Sequence, residues 1–497
     1  MTKVRGPMIG IPVPKLTARA VLFWLLGVAP SFATEPPSAA QQYLETNKEN
    51  IEALAKEFWE SPELGYLETN TSQQLMATLR DAGFKVDSGV AGMPTAFVAS
   101  YGTGGPVIGL LAEMDALPGK SQAAVPVQQE IVGKRNNQGC GHNLFGPGSV
   151  AAATAVKEWL AETGNRGTIR VYGSPAEEGG SGKVYLVRAG LFDDVDIVLH
   201  WHPASLNAAI PVTNDGVISA KFRFHGKASH AATSPERGRS ALDAVEAMDY
   251  MVNMMREHIR ESARIHYIIT KGGDAPNVVP ESAEVYYYVR ETEVDELQKL
   301  WERVLKTANA AAMGTETTVD YEIIHATYNL LPNVVLERAL DSNLRKHAAN
   351  VRWSSEEQAF AKKIYETFSE PWWPLGTEAD VVPFEPRFIP GSSDVGDVSW
   401  VVPTGGFVTA TWVPSTDAHT WQAAAASGTG IGFKGMHLAS EVMASTAIEL
   451  YLNPSLIADA KQEFEKQRGA DFSYKPLIGD REPPLDYRKA ESDAAQN

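Results

Sequence analysis

Five short clusters of polar residues stand out as able to do chemistry. In Gln138-Gly139-Cys140-Gly141-His142 a thiol and an imidazole lie two apart, bracketed by glycines, just ahead of an apolar run. Thiolate and imidazole both suit zinc-like ions, and flanking glycines let the backbone turn them toward one point. Cys140 is the chain's only cysteine, so it is either buried and inert or a working group.

Ser174-Pro175-Ala176-Glu177-Glu178-Gly179-Gly180 follows a strand-like run. Neighbouring side chains on extended backbone diverge, so one glutamate can hold an ion while the other faces a water as general base; a solvated turn is the plainer alternative. His200-Trp201-His202-Pro203 sets two imidazoles on one face of a strand, and one or both can reach a shared site. Asp115, after the apolar run that ends near Ala112, is an acid able to orient a ligand imidazole. The fifth cluster is Asp417-Ala418-His419-Thr420-Trp421-Gln422. Most of these clusters fall at expected strand ends, where open α/β sheets collect their ligands.

Elements to position them are legible in the periodicity. Residues 50–82 read as helix with a break at Ser61-Pro62, and apolar strands then alternate with helices up to His202-Pro203. That pattern predicts an α/β sheet covered by helices. Residues 215–328 change to a β-α-β-β-α-β order, the ferredoxin-like arrangement, read as an inserted α+β lid/dimerisation domain. The expected organisation is a catalytic domain over 41–214 and 329–465, the insertion at 215–328, and a charged, Pro-containing, loosely held tail at 466–497.

With 497 residues, the chain exceeds one ordinary domain. Residues 1–33 hold Lys3, Arg5, Lys15 and Arg19 but no acid, then a short apolar run and Ser31-Phe32-Ala33. This is the pattern of a cleaved signal peptide, and the run is shorter than the ~20 residues a membrane span needs. The expectation is a secreted or periplasmic protein. Losing those four cations takes the formal charge from −17 to −21, which argues against nucleic acid or anionic lipid as partner. A single cysteine also leaves no internal disulfide, so the fold rests on its core.

The ordered motifs at 62–66 (PELGY), 114–118 (MDALP), 139–142 (GCGH), 175–180 (PAEEGG) and 202–203 (HP) resemble the M20 metallopeptidase superfamily, in its amidohydrolase branch. The stretches at 225–232 (HGKASHAA) and 275–291 fit its inserted domain, and those at 140–146, 419–422 and 433–436 resemble the group formed by the B-type subunits of aminobenzoyl-glutamate hydrolase. The resemblance spans about residues 45–465. It implies two divalent metal ions, manganese or zinc, with Cys140 bridging them and His142, Glu178, His202 and His419 as the other ligands. His200 stays open as an alternative to His202, and His437 to His419. Glu177 would be general base and acid, and Asp115 the supporting aspartate; Glu113 stands where many relatives have a ligand histidine. His230 would reach the scissile carbonyl, in many relatives across a homodimer interface made by the lid. Asn277 and Arg290 would hold the substrate, although Arg290 also suits a strand-end salt bridge.

The implied activity is hydrolysis of the C–N amide bond of an N-acyl or N-aroyl amino acid, a small-molecule substrate. A dipeptidase or carboxypeptidase acting on short peptides, or a metal-bound protein that only binds, are the alternatives. Trp372-Trp373 could wall an aromatic acyl group or simply pack in the core.

Overall fold

A computed structural model describes residues 38–489; the leader expected at 1–33 lies outside them. After a short helix over Ala39–Thr46 come α1 (Lys48–Glu60) and α2 (Thr69–Asp81), with the break between them beginning at Ser61-Pro62. In α1 the buried residues Ile51, Ala55 and Phe58 recur every three or four positions, as one helical face demands.

Strands β1 (Lys85–Ser88), β2 (Phe97–Thr103) and β3 (Val107–Glu113) follow, then helix α3 (His142–Thr163), strand β4 (Gly167–Ser174), helix α4 (Gly182–Arg188) and strand β5 (Ile197–Ala204). Next come β6 (Gly216–His225), α5 (Ala241–Met255), β7 (Arg264–Lys271), β8 (Ser282–Glu291), α6 (Val294–Thr315) and β9 (Thr318–Thr327). The chain continues through α7 (Val334–Ala348), β10 (Thr404–Ala410), α8 (Gly430–Leu452) and α9 (Pro454–Arg468).

The first sheet has six strands in the order β1-β2-β4-β3-β5-β10. Strands β4, β3, β5 and β10 are mutually parallel, so their carboxyl ends emerge on one edge. Alternation along each strand feeds two cores: Ile108 and Leu110 of β3 and Ile197, Leu199 and Trp201 of β5 pack on one side, while Leu111 and Val198 pack on the other. Helices α3 and α8 cover the first side, contributing Phe145, Val150, Met436 and Val442. His200 and His202 share the parity of Val198, which turns both away from that core.

The second sheet has four antiparallel strands, β7-β8-β6-β9. Its β-α-β-β-α-β chain order is the one that the hydrophobic periodicity predicted, so the fold is an α/β sheet combined with a ferredoxin-like α+β unit. In β8, Ala283, Val285, Tyr287 and Val289 are buried in a core shared with α5 and α6. Glu284, Tyr286, Tyr288 and Arg290 alternate onto the opposite face.

The expectation of a loose tail is corrected for residues 469–489. Ile478 is buried, Tyr474 donates to Asp397 Oδ1 at 2.6 Å, and Arg188 Nη1 donates to the carbonyls of Gly479 and Arg481 at 3.0 and 2.7 Å. Charged composition suggested solvent, but a few apolar and aromatic anchors with satisfied carbonyls are enough to dock the segment.

Candidate active site

The site forms where the loops after β3, β4 and β5 meet the start of α3. Gly141, at φ +77°, precedes α3, and a Cβ there would lie 2.7 Å from Pro203 Cβ. A Cβ on Gly139 would lie 2.7 Å from Asn137 Oδ1 and 3.3 Å from His419 Cα. Both positions therefore need glycine, and the close approach brings Cys140 and His142 against the β5 end and the 417–422 loop. His419 itself has φ +64° and donates its N–H to the Gly139 carbonyl at 2.9 Å.

Three sets of donor atoms converge here, each with its atoms within 4.8 Å of one another: Cys140, His142 and His202; Cys140, Glu178 and His419; and Glu113, His142 and Glu177. Cys140 Sγ lies 3.5 Å from His202 Nε2, and Glu178 Oε1 lies 3.1 Å from His419 Nε2. Asp115 organises two of these groups. His142 Nδ1 sits 2.9 Å from the Asp115 carbonyl and 3.2 Å from its Oδ1, while Asp115 Oδ2 accepts the Glu178 N–H at 2.9 Å. Anchoring Nδ1 in this way leaves Nε2 of His142 turned toward the cluster.

Glu113 Oε2, His142 Nε2 and Glu178 Oε1 are buried without a hydrogen-bond partner among the described residues. Glu113 Oε2 and His142 Nε2 approach within 3.1 Å and still make no hydrogen bond. A donor set of one thiol, imidazoles and carboxylates, three of whose nitrogen and oxygen atoms are buried and unpartnered, fits a divalent cation of the zinc or manganese kind.

Burial and crowding of charged groups set the electrostatics of the site. Burial, then Glu178, pushes the Cys140 thiol well up. Burial together with Glu113 and Glu178 does the same to Glu177. Burial also opposes the Glu178 carboxylate, but pairing with His419 holds it down at about 2. His142 is held well above the ordinary imidazole range, against burial, by Cys140 and Asp115.

Of the residues singled out from sequence, Cys140, His142, Glu177, Glu178, His202, His419 and Asp115 come together. His200 is not in these donor sets; it lines an apolar cavity of about 270 Å³ with Leu206, Ile210, Leu330 and Phe407, which Glu113 and His202 also border. His437 Nε2 lies 2.9 Å from Glu52 Oε1 on α1, which accounts for its polar atom. His230 and Asn277 are exposed neighbours on the lid, where Ala231 N donates to Asn277 O at 3.0 Å, and they do not border the site's cavity. Trp372 is exposed, while Trp373 packs near Val382 and Phe384, so neither rim nor core describes both.

That cavity measures about 580 Å³ and is bordered by Glu177, Glu178 and His419 on one side and by Tyr288, Arg290 and His325 of the lid on the other. Arg290 Nη1 donates to Ser392 Oγ at 2.9 Å. His325 carried no motif. A β-bulge between Ile323 and His325 places it opposite Ser219, on the face of Tyr288 and Arg290. Burial and nearby Arg290 hold its imidazole down at about 3. Also unanticipated is Lys183, fully buried 2.7 Å from Glu113 Oε1 and 2.6 Å from Asp394 Oδ1. A lysine one residue inside a short helix offers no local signal, because its partners come from β3 and from a segment 211 residues away.

Residues 212–316 match the M20 family model described as a peptidase dimerisation domain. Over 450 residues the chain is 41% identical to the B-type subunit of the p-aminobenzoyl-glutamate hydrolase of Escherichia coli K12, covering 85% of this chain and 93% of that protein. It is 31% identical to the Xaa-Arg dipeptidase of Mus musculus, covering 93% and 97% respectively. A Bacillus subtilis protein described as a dinuclear metal binding peptidase from the M20 family superposes with a TM-score of 0.56 at 16% identity, covering 82% of this chain and 99% of that one, which shows a shared fold. With identity of that order to a hydrolase over nearly its whole length, the chain belongs to the M20 peptidase family and is a metal-dependent hydrolase.

Proposed function

We propose that this protein hydrolyses the C–N amide bond of N-acyl or N-aroyl amino acids of the aminobenzoyl-glutamate type. The observation that carries the reading is the pair of donor sets sharing Cys140, with Glu177 beside them at the floor of a cavity whose far wall holds Arg290. Cys140, His142, His202, Glu178 and His419 would hold two divalent ions, manganese or zinc. When bound they supply Lewis-acid polarisation and a nucleophilic water at neutral pH. Glu177 takes one proton from the attacking water and delivers it to the departing nitrogen as the C–N bond breaks. Asp115 fixes His142, and Arg290 takes the carboxylate on the amine side.

The dimerisation-domain match supports a homodimer formed through the lid, with His230 donating to the scissile carbonyl of the partner's site. The N–H groups of Ala232 and Thr233 both donate to His230 Nδ1 at 3.2 Å, which leaves Nε2–H as the outward donor. The basic-then-apolar leader supports export to the periplasm or medium. Among the described residues, no helix is long and apolar enough to cross a membrane.

The mouse relative favours a second reading, a dipeptidase. One experiment addresses both: release of amine from N-benzoyl and N-(4-aminobenzoyl) amino acids and from dipeptides, by protein stripped with chelator and reloaded with Mn²⁺ or Zn²⁺. Hydrolysis of the aroyl compounds, dependent on reloading, is expected. Turnover of dipeptides alone moves the second reading forward, and no turnover of either class overturns both.

A further inference from the structure

Two connections join the lid to the catalytic sheet. One runs from the end of β5 at Ala204 to the start of β6 at Gly216, the other from the end of β9 at Thr327 to the start of α7 at Val334. Both line the apolar cavity of about 270 Å³, which no step of the proposed hydrolysis uses. Leu206, Ala208, Ile210 and Val212 come from the first connection, and Leu330 and Leu331 from the second. Ala208, Ile210 and Val382 form a small apolar core of their own here, with Leu206, Val212 and Val408 packed against it.

The polar groups of this lining are engaged or uncharged. Ser399 donates to the Gly396 carbonyl at 2.6 Å, and Thr404 to the Val402 carbonyl at 2.9 Å. Glu113 pairs with Lys183 at 2.7 Å. A Cβ on Gly406 would collide with His200 Nε2, so that nitrogen is turned against β10. Burial pushes the Glu337 carboxyl well up, so it stands in the lining without charge.

The mouth is different. Val212 and Thr213 pair in parallel with Arg387 and Phe388. Arg387 and Ile389 are the exposed members of the lining, so the cavity opens beside them. The Arg387 N–H donates to the Pro211 carbonyl at 2.9 Å, which fixes the backbone at this rim. Among the described residues its guanidinium has no hydrogen-bond or ion-pair partner. An apolar interior behind an unpaired cation complements a molecule with an apolar body and one negative head. An apolar cavity of about 150 Å³ accepts benzene, so this one has room for a chain of about six to eight carbons.

We propose that the cavity between the two lid connections is a second ligand site, taking a free single-chain aliphatic carboxylate with its chain inside and its head on Arg387. Such a ligand touches both connections, so its binding favours the setting of the lid in which the cavity is built. The site is separate from the polar cavity, and the proposal goes beyond the hydrolase reading.

The test is calorimetric titration of the metal-loaded protein with acetate, butyrate, hexanoate and octanoate, and with octanol. Affinity for the acids is expected to rise about three- to fourfold per added methylene. Arg387→Gln, at an exposed position, should weaken octanoate at least about threefold and leave octanol unchanged. Ala208→Phe, which fills the cavity, should abolish binding of both; if that variant does not fold, Arg387→Gln decides. In hydrogen exchange, octanoate should slow residues 205–215 and 328–333 together. Equal affinity for acetate and octanoate overturns the proposal, because it is the signature of carboxylates binding the metal ions alone. Octanoate binding indifferent to Arg387→Gln overturns it too, as does protection confined to residues 139–142 and 175–180. None of these readouts needs turnover, so failure here and failure of the hydrolase reading are distinguishable.

Discussion

The Lys183 ammonium lies 2.7 Å from Glu113 Oε1 in the interior, with neither side chain more than 1% exposed. Asp394 takes a second contact at 2.6 Å, and Glu113 turns its other oxygen toward His142. Burial disfavours the ammonium, yet Asp394 and Glu113 keep it charged. Lys183→Met should strand two buried carboxylates and lower unfolding free energy by about 3–5 kcal/mol. Urea denaturation measures this; a loss below about 1 kcal/mol would mean that the acids neutralise each other by sharing protons.

Cys140 contributes to two of the donor sets. Cys140→Ala should therefore lose most bound metal, read by elemental analysis after gel filtration, while its circular dichroism stays that of the parent. A variant that retains both ions would remove Cys140 from the ligand set.

Glu177→Gln keeps the shape of the side chain and removes its basicity. Metal content should be unchanged while kcat falls by about 10²–10⁴-fold. Near-normal turnover would reverse the roles assigned to Glu177 and Glu178.

His230 is exposed and is not among the residues that border its own chain's cavity. Mixing inactive His230→Ala with inactive Glu177→Gln protein should restore activity, because a hybrid dimer assembles one intact site. Verified subunit exchange without recovery would show that each site is complete within one chain.

Asp397 is fully buried, accepting from the Tyr474 hydroxyl at 2.6 Å and from the Tyr328 N–H at 3.0 Å. Burial outweighs those hydrogen bonds and raises its pKa from 3.8 to about 7. A raised acid favours folding while protonated, so its contribution is complete below about pH 4 and is lost as pH rises toward 7, at up to about 1.4 kcal/mol per pH unit. Asp397→Asn can satisfy both partners without ionising. Its unfolding free energy, compared with the parent's from pH 4 to 8, should lack that decline; parallel profiles would show that Asp397 ionises alike in both states.

Much of the site was legible because its information is local. Gly-Cys-Gly-His, Pro-Ala-Glu-Glu-Gly-Gly and His-Pro each sit within a few residues of a strand or helix end. A parallel sheet then delivers strand ends to one edge whatever the loop details. The lid's β-α-β-β-α-β order was readable for the same reason: periods of two and 3.6 residues are properties of contiguous sequence.

What the tertiary structure alone decided depends on residues distant in the chain meeting. His437 stood in the sequence as an alternative to His419, and the fold sets it 2.9 Å from Glu52, 385 positions away. His325 reached the cavity only through a bulge, a one-residue slip that reverses which face a side chain takes. The charge of Lys183 makes sense only beside Glu113 and Asp394. Residues 469–489 look like a solvated tail in composition, yet they dock through scattered contacts to Arg188, Asp397, Ile324 and Glu178. Local sequence determined which groups could do chemistry and which elements would carry them. Burial and long-range pairing, which no short window of sequence encodes, decided which of those groups face one cavity.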